Sequence, residues 1–288
     1  MKKLAFLLLL PAMALLTACG NDDEPVPAKP ILIDKQDMAF LTLNAATGEF
    51  NHYCKAQCEL SVDADATLAT ATILGAAFDP RMPHGVDFTI GDVRALSLSR
   101  SGDDCSFTLK AASASMLNPS TGEPYSGYEI TDIGGHVDTA RDIYTITFGV
   151  NTRGTGYKVV ATSTTLRTDV GTDSYDDTGK LYYQYNLLDN LKAEIYIHNV
   201  QFSVGGASSP LLPKIHIPDL TVVPTSTGYK LIGNGIIPNN ITAGGPVPMG
   251  NRFVVTNFEA TLNVITGEHH ITFDCMGGNH TGDAALAL

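Results

Sequence analysis

The sequence contains no tryptophan and carries little positive charge. Its 288 residues include 18 basic and 30 acidic side chains, which gives a formal net charge of −12. No basic run follows Lys2 and Lys3, so the chain lacks the electrostatic footprint that binding to a phosphate backbone requires. We therefore predict no nucleic-acid partner. The absence of tryptophan weakens the case for a sugar-stacking platform without excluding one.

Local catalytic and metal-binding motifs are also missing. The sequence has no G-x-S-x-G elbow, no Walker loop, no G-x-G-x-x-G after a strand and no H-E-x-x-H. His52, Cys54 and Cys58 lie close together, but their spacing fits a zinc knuckle poorly. We therefore predict a protein that is not an enzyme and holds neither a cofactor nor a metal.

The N-terminus has the anatomy of a secretory signal. Lys2 and Lys3 precede an apolar run that extends to Leu16 and is broken at Pro11. This run is too short to span a bilayer comfortably. We predict that residues 1–18 form a signal peptide.

The end of this segment, Leu16-Thr17-Ala18-Cys19, resembles the lipobox of bacterial lipoproteins. The resemblance implies cleavage before Cys19 and acylation of its thiol with palmitate-type chains, which would attach the protein to a membrane. The cluster Asp22-Asp23-Glu24 resembles the export signal of Bacteroidota surface lipoproteins. It implies an outer-membrane location facing the cell exterior. The same composition also suits a disordered tether, which we place at residues 19–35, and leaves the leaflet open.

The rest of the chain contains an internal repeat with an offset of about 125 residues. The segment 130–138 aligns without gaps on 255–263, and Ile146-Thr147-Phe148 matches Ile271-Thr272-Phe273. Within each copy the apolar residues alternate with a period of two, as a half-buried strand requires. The alternation changes phase at Gly75 and Asn199, two residue types that tolerate positive φ and suit a β-bulge.

These patterns predict an all-β fold. We expect two tandem, duplicated, antiparallel β-sandwich-like units at residues 36–155 and 156–279, followed by a C-terminal tail at residues 280–288. Two calycin-like β-barrels are the alternative, because periodicity does not separate a sandwich from a barrel.

Four cysteines remain besides Cys19. An even number in an oxidising envelope favours disulfides, and three full pairings are available. We slightly prefer a bond from Cys105 to Cys54 or Cys58. Cys275 aligns with Val150 on an inward face and is expected to be a buried hydrophobic side chain.

Two further features are candidates for surface chemistry. Tyr182, Tyr183 and Tyr185 lie around Gln184, and alternation puts Tyr183 and Tyr185 on one strand face as a ligand platform. The alternative is ordinary strand tyrosines in a core. Asp138-Thr139-Ala140, at a predicted hairpin tip, resembles the short O-glycosylation pattern of Bacteroidota envelope proteins, which would make Thr139 the modified and solvent-exposed residue.

The address and the architecture together predict a non-enzymatic surface lipoprotein that binds an unknown extracellular ligand or envelope protein. A fimbrillin-like structural or adhesive subunit is one alternative. Fimbrillins are cleaved after an arginine, however, and the first arginine here is Arg81, deep in the first unit. A periplasmic carrier of a hydrophobic ligand is the other alternative, favoured if the units prove hollow.

Overall fold

A computed structural model describes residues 30–152, 154–173, 180–204 and 207–285. The predicted signal peptide, Cys19 and most of the predicted tether lie outside these ranges. The regular secondary structure of the described residues is almost entirely β-strand, so the all-β prediction is confirmed. None of the helices in the described ranges has the length and apolar character needed to cross a bilayer.

The described ranges contain twenty-one strands and two single-turn 3-10 helices. The first sheet contains β1 (Ile31–Asn44), β2 (Phe50–Val62), β3 (Leu68–Ala76), β4 (Val86–Ser101), β5 (Asp104–Ala114), β6 (Met116–Leu117), β7 (Tyr128–Asp138), β8 (Ile143–Thr152) and β9 (Thr155–Ser163). The second contains β10 (Thr165–Asp173), β11 (Tyr182–Leu187), β12 (Lys192–Val200), β15 (Leu212–Thr225), β16 (Gly228–Gly233), β17 (Asn239–Thr242), β18 (Gly245–Pro248), β19 (Thr256–Asn263), β20 (Glu268–Cys275) and β21 (Gly278–Ala285). A small separate pair consists of β13 (Ser203–Val204) and β14 (Ala207–Ser208), and the 3-10 turns are Thr139–Arg141 and Asn251–Phe253.

Each large sheet closes on itself. In the first, antiparallel pairing runs through β1, β2, β3, β4, β5, β7, β8 and β9 and returns to β1. In the second it runs through β10, β11, β12, β15, β16, β19, β20 and β21 and returns to β10. Both are eight-stranded meanders, which corresponds to the barrel alternative. We call them the first and second barrels.

The duplication holds at the level of topology. The aligned hairpins, β7–β8 and β19–β20, are the sixth and seventh strands of their rings. Left-handed backbone conformations recur at aligned positions, including the predicted phase switch: Gly75 (φ +77°) with Asn199 (+57°), Asp92 (+59°) with Asp219 (+58°), Asp132 (+52°) with Asn257 (+51°), and Asp142 (+55°) with Gly267 (+77°). Only Gly, Asn and Asp occupy these sites, because other side chains are strained at positive φ.

Apolar side chains alternate into each barrel and form one core apiece. Phe88, Phe107 and Phe148 lie in the first core, and Phe202 and Phe273 lie in the second. Polar side chains alternate outward along the same strands. A packed interior of this kind is typical of eight-stranded rings, whose cross-section is just filled by side chains.

The outer wall of the first barrel is an exception to this alternation. Ala39, Leu41 and Leu43 point outward from β1, yet they are buried in the core of the second barrel. The Tyr53 hydroxyl donates to the Leu188 carbonyl at 3.0 Å. The two barrels are therefore joined through a continuous apolar contact.

The sheet boundaries differ from the predicted unit boundaries. Strand β9 extends to Ser163 and closes the first barrel, whereas the predicted boundary lay at 155 and 156. Strand β21 occupies most of the predicted C-terminal tail and closes the second barrel. The predicted tether overlaps the start of β1 at Ile31. In the first two cases, ring closure requires an eighth strand that a hairpin pattern does not reveal.

One turn sequence, N-x-x-T-G-E, occurs three times, beginning at Asn44, Asn118 and Asn263. In each copy the Asn side chain accepts hydrogen bonds from the backbone amides two and three residues later, for example Ala46 and Thr47. Glycine then adopts positive φ at the fifth position. The motif is a local turn device that the repeat analysis did not identify.

Candidate functional site

The outer face of the second barrel, across β10, β11, β12 and β15, carries aromatic, histidine and basic side chains. Tyr183, Tyr185 and Leu187 point inward from β11, so Tyr182, Gln184 and Asn186 point outward. The same alternation turns Glu194, Tyr196 and His198 outward on β12, and Lys214 and His216 outward on β15. We call the set Arg167, Tyr182, Gln184, Glu194, Tyr196, His198, Lys214 and His216 the Tyr–His face.

Strand register brings these side chains into contact. Tyr182 lies directly opposite His198, and Tyr196 lies opposite His216. The rings of Tyr182 and His198 stack with centroids 4.1 Å apart and planes 12° apart. The rings of Tyr196 and His216 stack at 4.6 Å and 13°. Directly opposed residues on antiparallel strands are close enough for such pairs to form.

Each tyrosine of the face also makes a cation–π contact with a basic side chain. The guanidinium carbon of Arg167 lies 4.0 Å from the centroid of Tyr182, and Lys214 Nζ lies 4.2 Å from that of Tyr196. Arg167 approaches from β10 and His198 from β12, so neighbours flank the Tyr182 ring on both sides. The cations are held by cation–π contacts while their polar heads remain accessible.

Two carboxylates lie at the face: Asp169, whose Oδ1 is 3.6 Å from Arg167 Nε, and Glu194. Glu194 accepts hydrogen bonds from Asn186 at 2.8 Å and from His216 at 2.9 Å. Burial opposes its ionisation, but these hydrogen bonds outweigh burial and lower the pKa of Glu194. Its charge is thus already partnered within the protein.

The electrostatic potential near His198 is positive. Burial, and then the charges of Lys214 and Arg167, lower the pKa of His198 to about 4. This imidazole is therefore neutral at pH 7, and the net positive charge of this part of the face comes from Lys214 and Arg167.

Two tyrosines of the predicted platform are placed differently. Tyr183 and Tyr185 do share a face, but it is the barrel interior, where they are 0% and 1% exposed. The Tyr183 hydroxyl is 3.2 Å from His280 Nε2, and the Tyr185 hydroxyl contacts His269 Nε2. The platform prediction is therefore wrong for these two residues. Only Tyr182 faces outward.

The interior phenol–imidazole pairs are almost completely buried, with His269 2% and His280 0% exposed. Burial, and then the charge of His270, lower the pKa of His269 to about 3, so its imidazole is neutral at ordinary pH. His269 also borders an open cleft of about 600 Å³ at the barrel end. The role of the paired groups in the folded chain is to satisfy one another within an apolar core.

The predicted disulfide is not formed. Cys54, Cys58 and Cys105 are free thiols. Cys54 and Cys58 lie on β2 and Cys105 on β5, with β3 and β4 between them in the ring. Three strand spacings of about 4.8 Å exceed the reach of a disulfide. Cys275 is buried at the position of Val150, as predicted, and burial raises its pKa to about 11.

Thr139 lies in the 3-10 turn between β7 and β8, at the predicted hairpin tip. It is half-buried rather than fully exposed, and its hydroxyl accepts from the Cys105 amide at 2.8 Å. The oxygen that a glycan would occupy is thus already engaged by the fold. The lipidation site, Cys19, lies outside the described residues.

The sequence contains a weak pattern for the two histidines of the face, which were not predicted as site residues. The histidines of the face appear as Tyr-x-His and Lys-x-His in strands β12 and β15, with apolar residues between them. Taken singly, they match no ligand motif. Across the described ranges, no group of three or more His, Cys, Asp or Glu side chains is placed to hold a metal ion.

No protein-family model and no curated protein sequence matches this chain. A structure comparison matches the chain to the crystal structure of a "putative outer membrane protein" from Bacteroides fragilis, with 11% identity and a TM-score of 0.29. The match covers 88% of this chain and 96% of that one. At this distance the similarity carries no argument about function, which has to come from the residues themselves.

Proposed function

We propose that this chain is a non-enzymatic lipoprotein of the cell envelope that binds an anionic polysaccharide outside the cell. The observation that carries the proposal is the Tyr–His face, which places two cations and two histidine–tyrosine stacks on four adjacent strands. Lipid on Cys19 would attach the protein to the outer membrane, with the barrels facing outward.

Charge favours an anionic ligand. The formal net charge of the chain is −12, and loss of Lys2 and Lys3 with the signal peptide would make it more negative. Arg167 and Lys214 nevertheless lie together on one face, and the carboxylate of Glu194 is satisfied internally. Asp169 lies 3.6 Å from Arg167 Nε, but Arg141 also contacts Asp169 at 3.6 Å and shares its charge. A local positive surface on an acidic protein selects for anions at short range while the remainder repels them.

The geometry favours polar recognition over ring stacking. Neighbours flank the Tyr182 ring on both sides, so its faces are not available to a flat sugar ring. The face instead presents guanidinium, ammonium and amide donors, including Gln184. Such donors suit carboxylate or sulfate groups on a polymer.

Support for the anchor comes from the sequence, through the lipobox-like segment that ends at Cys19 and the acidic cluster behind it. Neither alternative function gains support of its own. Cleavage after Arg81 would remove β1, β2 and β3 from the first barrel. The space between interior side chains of that barrel such as Leu60 and Ile146 is too small to admit a water molecule, so it offers no room for a carried ligand.

Retention on immobilised heparin and polygalacturonate, with neutral dextran as the reference, tests the ligand class. We expect retention on both anionic polymers that weakens as salt rises, and none on dextran. Arg167→Gln combined with Lys214→Gln should abolish it. The matched control is Arg100→Gln with Lys110→Gln, which removes the same charge from exposed positions on the first barrel. Equal loss in both double variants would overturn the assignment to this face.

Protease shaving of intact cells, following an epitope tag after Leu288, tests the location. Loss of the tag on intact cells is the expected result, with full digestion after lysis as the control. Survival on intact cells, followed by digestion after lysis, would place the barrels in the periplasm. A Cys19→Ala variant should leave the membrane fraction if the anchor is correct.

A further inference from the structure

A second candidate site lies at one end of the first barrel, outside its core. The connection from β3 to β4 folds beside the turn between β8 and β9 and encloses a half-open pocket of about 520 Å³. Its apolar wall consists of Phe78, Met82, Pro83, Val86, Tyr128 and Tyr157. Pockets of this size and lining are typical of small-molecule sites.

An ion pair forms the polar part of the pocket. Asp79 accepts from Arg81 Nε at 2.8 Å and Nη2 at 2.7 Å, and from the Tyr157 hydroxyl at 2.7 Å. Hydrogen bonds from Arg81, and then from Tyr157, hold the pKa of Asp79 well below its usual range. The carboxylate is therefore ionised and its charge is balanced.

The pair fixes the orientation of the guanidinium. The Asp79 side chain is only 12% exposed, whereas that of Arg81 is 84% exposed. A guanidinium has five N–H donors, and Asp79 engages two of them. The remaining N–H donors lie on the exposed edge of the guanidinium. Because Asp79 already holds the guanidinium in place, a ligand that binds there pays a smaller entropy cost.

The connection that carries these residues is held in place. The Asn51 side chain donates to the Phe78 carbonyl at 2.8 Å, and the Met82 amide donates to the Asp79 carbonyl at 3.0 Å. The Ala77 amide lies 3.4 Å from Cys54 Sγ. The pocket is thus preformed by contacts to β2 rather than by a free loop.

We propose that this pocket binds a small monocarboxylate with an aliphatic or aromatic body. The ligand carboxylate would accept from the exposed edge of Arg81, and its body would lie against Phe78, Met82 and Tyr128. Among the described residues that line the pocket, Asp79 is the only acid, and Arg81 already balances it. The site differs from the Tyr–His face in barrel, residues and ligand, and so does not depend on the proposed function.

Calorimetric titration with octanoate and with 1-octanol tests this site. The two probes share an apolar body and differ in charge. We expect octanoate to bind at least about tenfold more tightly than octanol. Arg81→Met should remove that preference, because it keeps the apolar stem and loses the donors. Arg100→Met, at an exposed position on β4, should leave it unchanged.

A second variant separates binding from folding. Tyr128→Ala should lower the affinity for both probes, because it removes part of the apolar wall. The circular dichroism spectrum should stay unchanged. The proposal is overturned if the unsubstituted protein takes up no octanoate at about 1 mM, or if octanoate and octanol bind equally. It is also overturned if Arg81→Met binds octanoate as well as the unsubstituted protein does.

Discussion

The two barrels share a topology but differ in what their interiors contain. Strand register places Tyr185 and His269 of the second barrel where the first has Leu60 and Tyr144. In the same register, Tyr183 and His280 occupy the positions of Cys58 and Val159 in the first barrel. The same ring can thus be filled mainly by apolar side chains or can also hold phenol–imidazole pairs that contact each other in its interior.

The outer walls differ as well. Ala39, Leu41 and Leu43 on the outer side of β1 are apolar and covered by the second barrel, whereas Arg167 on the outer side of β10 is exposed. The first strand of one ring thus contributes to the inter-barrel contact, and the first strand of the other ring contributes to an open polar face. Ring position alone does not assign a function to a strand.

The largest expected effect tests whether the barrels unfold together. Phe148 and Phe273 are aligned, fully buried and packed against other aromatic rings. Truncating either to Ala should cost about 3–5 kcal/mol. Because Leu41 of the first barrel lies in the second core, we expect one transition in each variant by scanning calorimetry. Two separate transitions in either variant would show that the cores are energetically independent.

The interior histidine of the second barrel should make stability depend on pH. The pKa of His269 falls from 6.5 to about 3 on folding. The stability that depends on neutral His269 is therefore fully present above pH 6.5. It is lost as the pH falls from 6.5 towards 3, because the unfolded chain binds the proton first. The slope is about 1.4 kcal/mol per pH unit between these values.

Urea unfolding at pH 7.5 and pH 4.5 measures this effect. The double variant Tyr185→Phe with His269→Leu removes the titrating group and its partner together. Between pH 7.5 and pH 4.5, we expect the free energy of unfolding of the double variant to fall by about 3 kcal/mol less than that of the unsubstituted protein. An equal loss in both proteins would mean that His269 does not carry the pH dependence.

Substitutions at aligned positive-φ positions of the two barrels should have smaller effects on stability, which differ between the barrels. Asp132 and Asn257 are aligned at positive φ, where a Cβ-bearing residue without a short polar group costs about 1–2 kcal/mol. Asn257 also donates to Asp274 at 2.7 Å. Asn257→Ala should therefore destabilise more than Asp132→Ala, by about 1 kcal/mol in chemical denaturation. Asp132→Gly is the control and should cost less than Asp132→Ala, since glycine accepts positive φ.

The smallest effect concerns the N-x-x-T-G-E turns. Asn44→Ala and Asn263→Ala each remove side-chain hydrogen bonds to two backbone amides, and each should cost about 1 kcal/mol. Asn118 caps the same turn in a loop after β6, outside both rings. Asn118→Ala should leave the midpoint of unfolding nearly unchanged. A loss there as large as at Asn44 would mean that the loop belongs to the cooperative core.

Much of the fold could be predicted because its signals are local. Gly75 and Asn199 mark the change of phase in sequence, and both have positive φ in the structure. Cys275 aligns with Val150, and both are buried. Alternation and turn chemistry depend on neighbours along the chain, so they survive in the sequence alone.

The candidate site could be predicted only in part. Alternation places Tyr183 and Tyr185 on one face and Tyr182 on the other, but tyrosine is equally suited to a core or to a surface. The interior partners His269 and His280 lie 84 and 97 residues away in sequence from Tyr185 and Tyr183. Only ring closure brings them together. The same closure decides which tyrosine reaches the outer face of the barrel.

The sequence by itself determined the all-β class, the duplication, the turns and the positions of left-handed backbone, because each follows from the local preferences of a few adjacent residues. The tertiary structure decided the barrel closure, the free state of Cys105, the inward direction of Tyr185 and the contact of Leu41 with the second core. These depend on which strands become neighbours. That choice minimises exposed apolar area and unpaired backbone over the whole chain rather than within any segment.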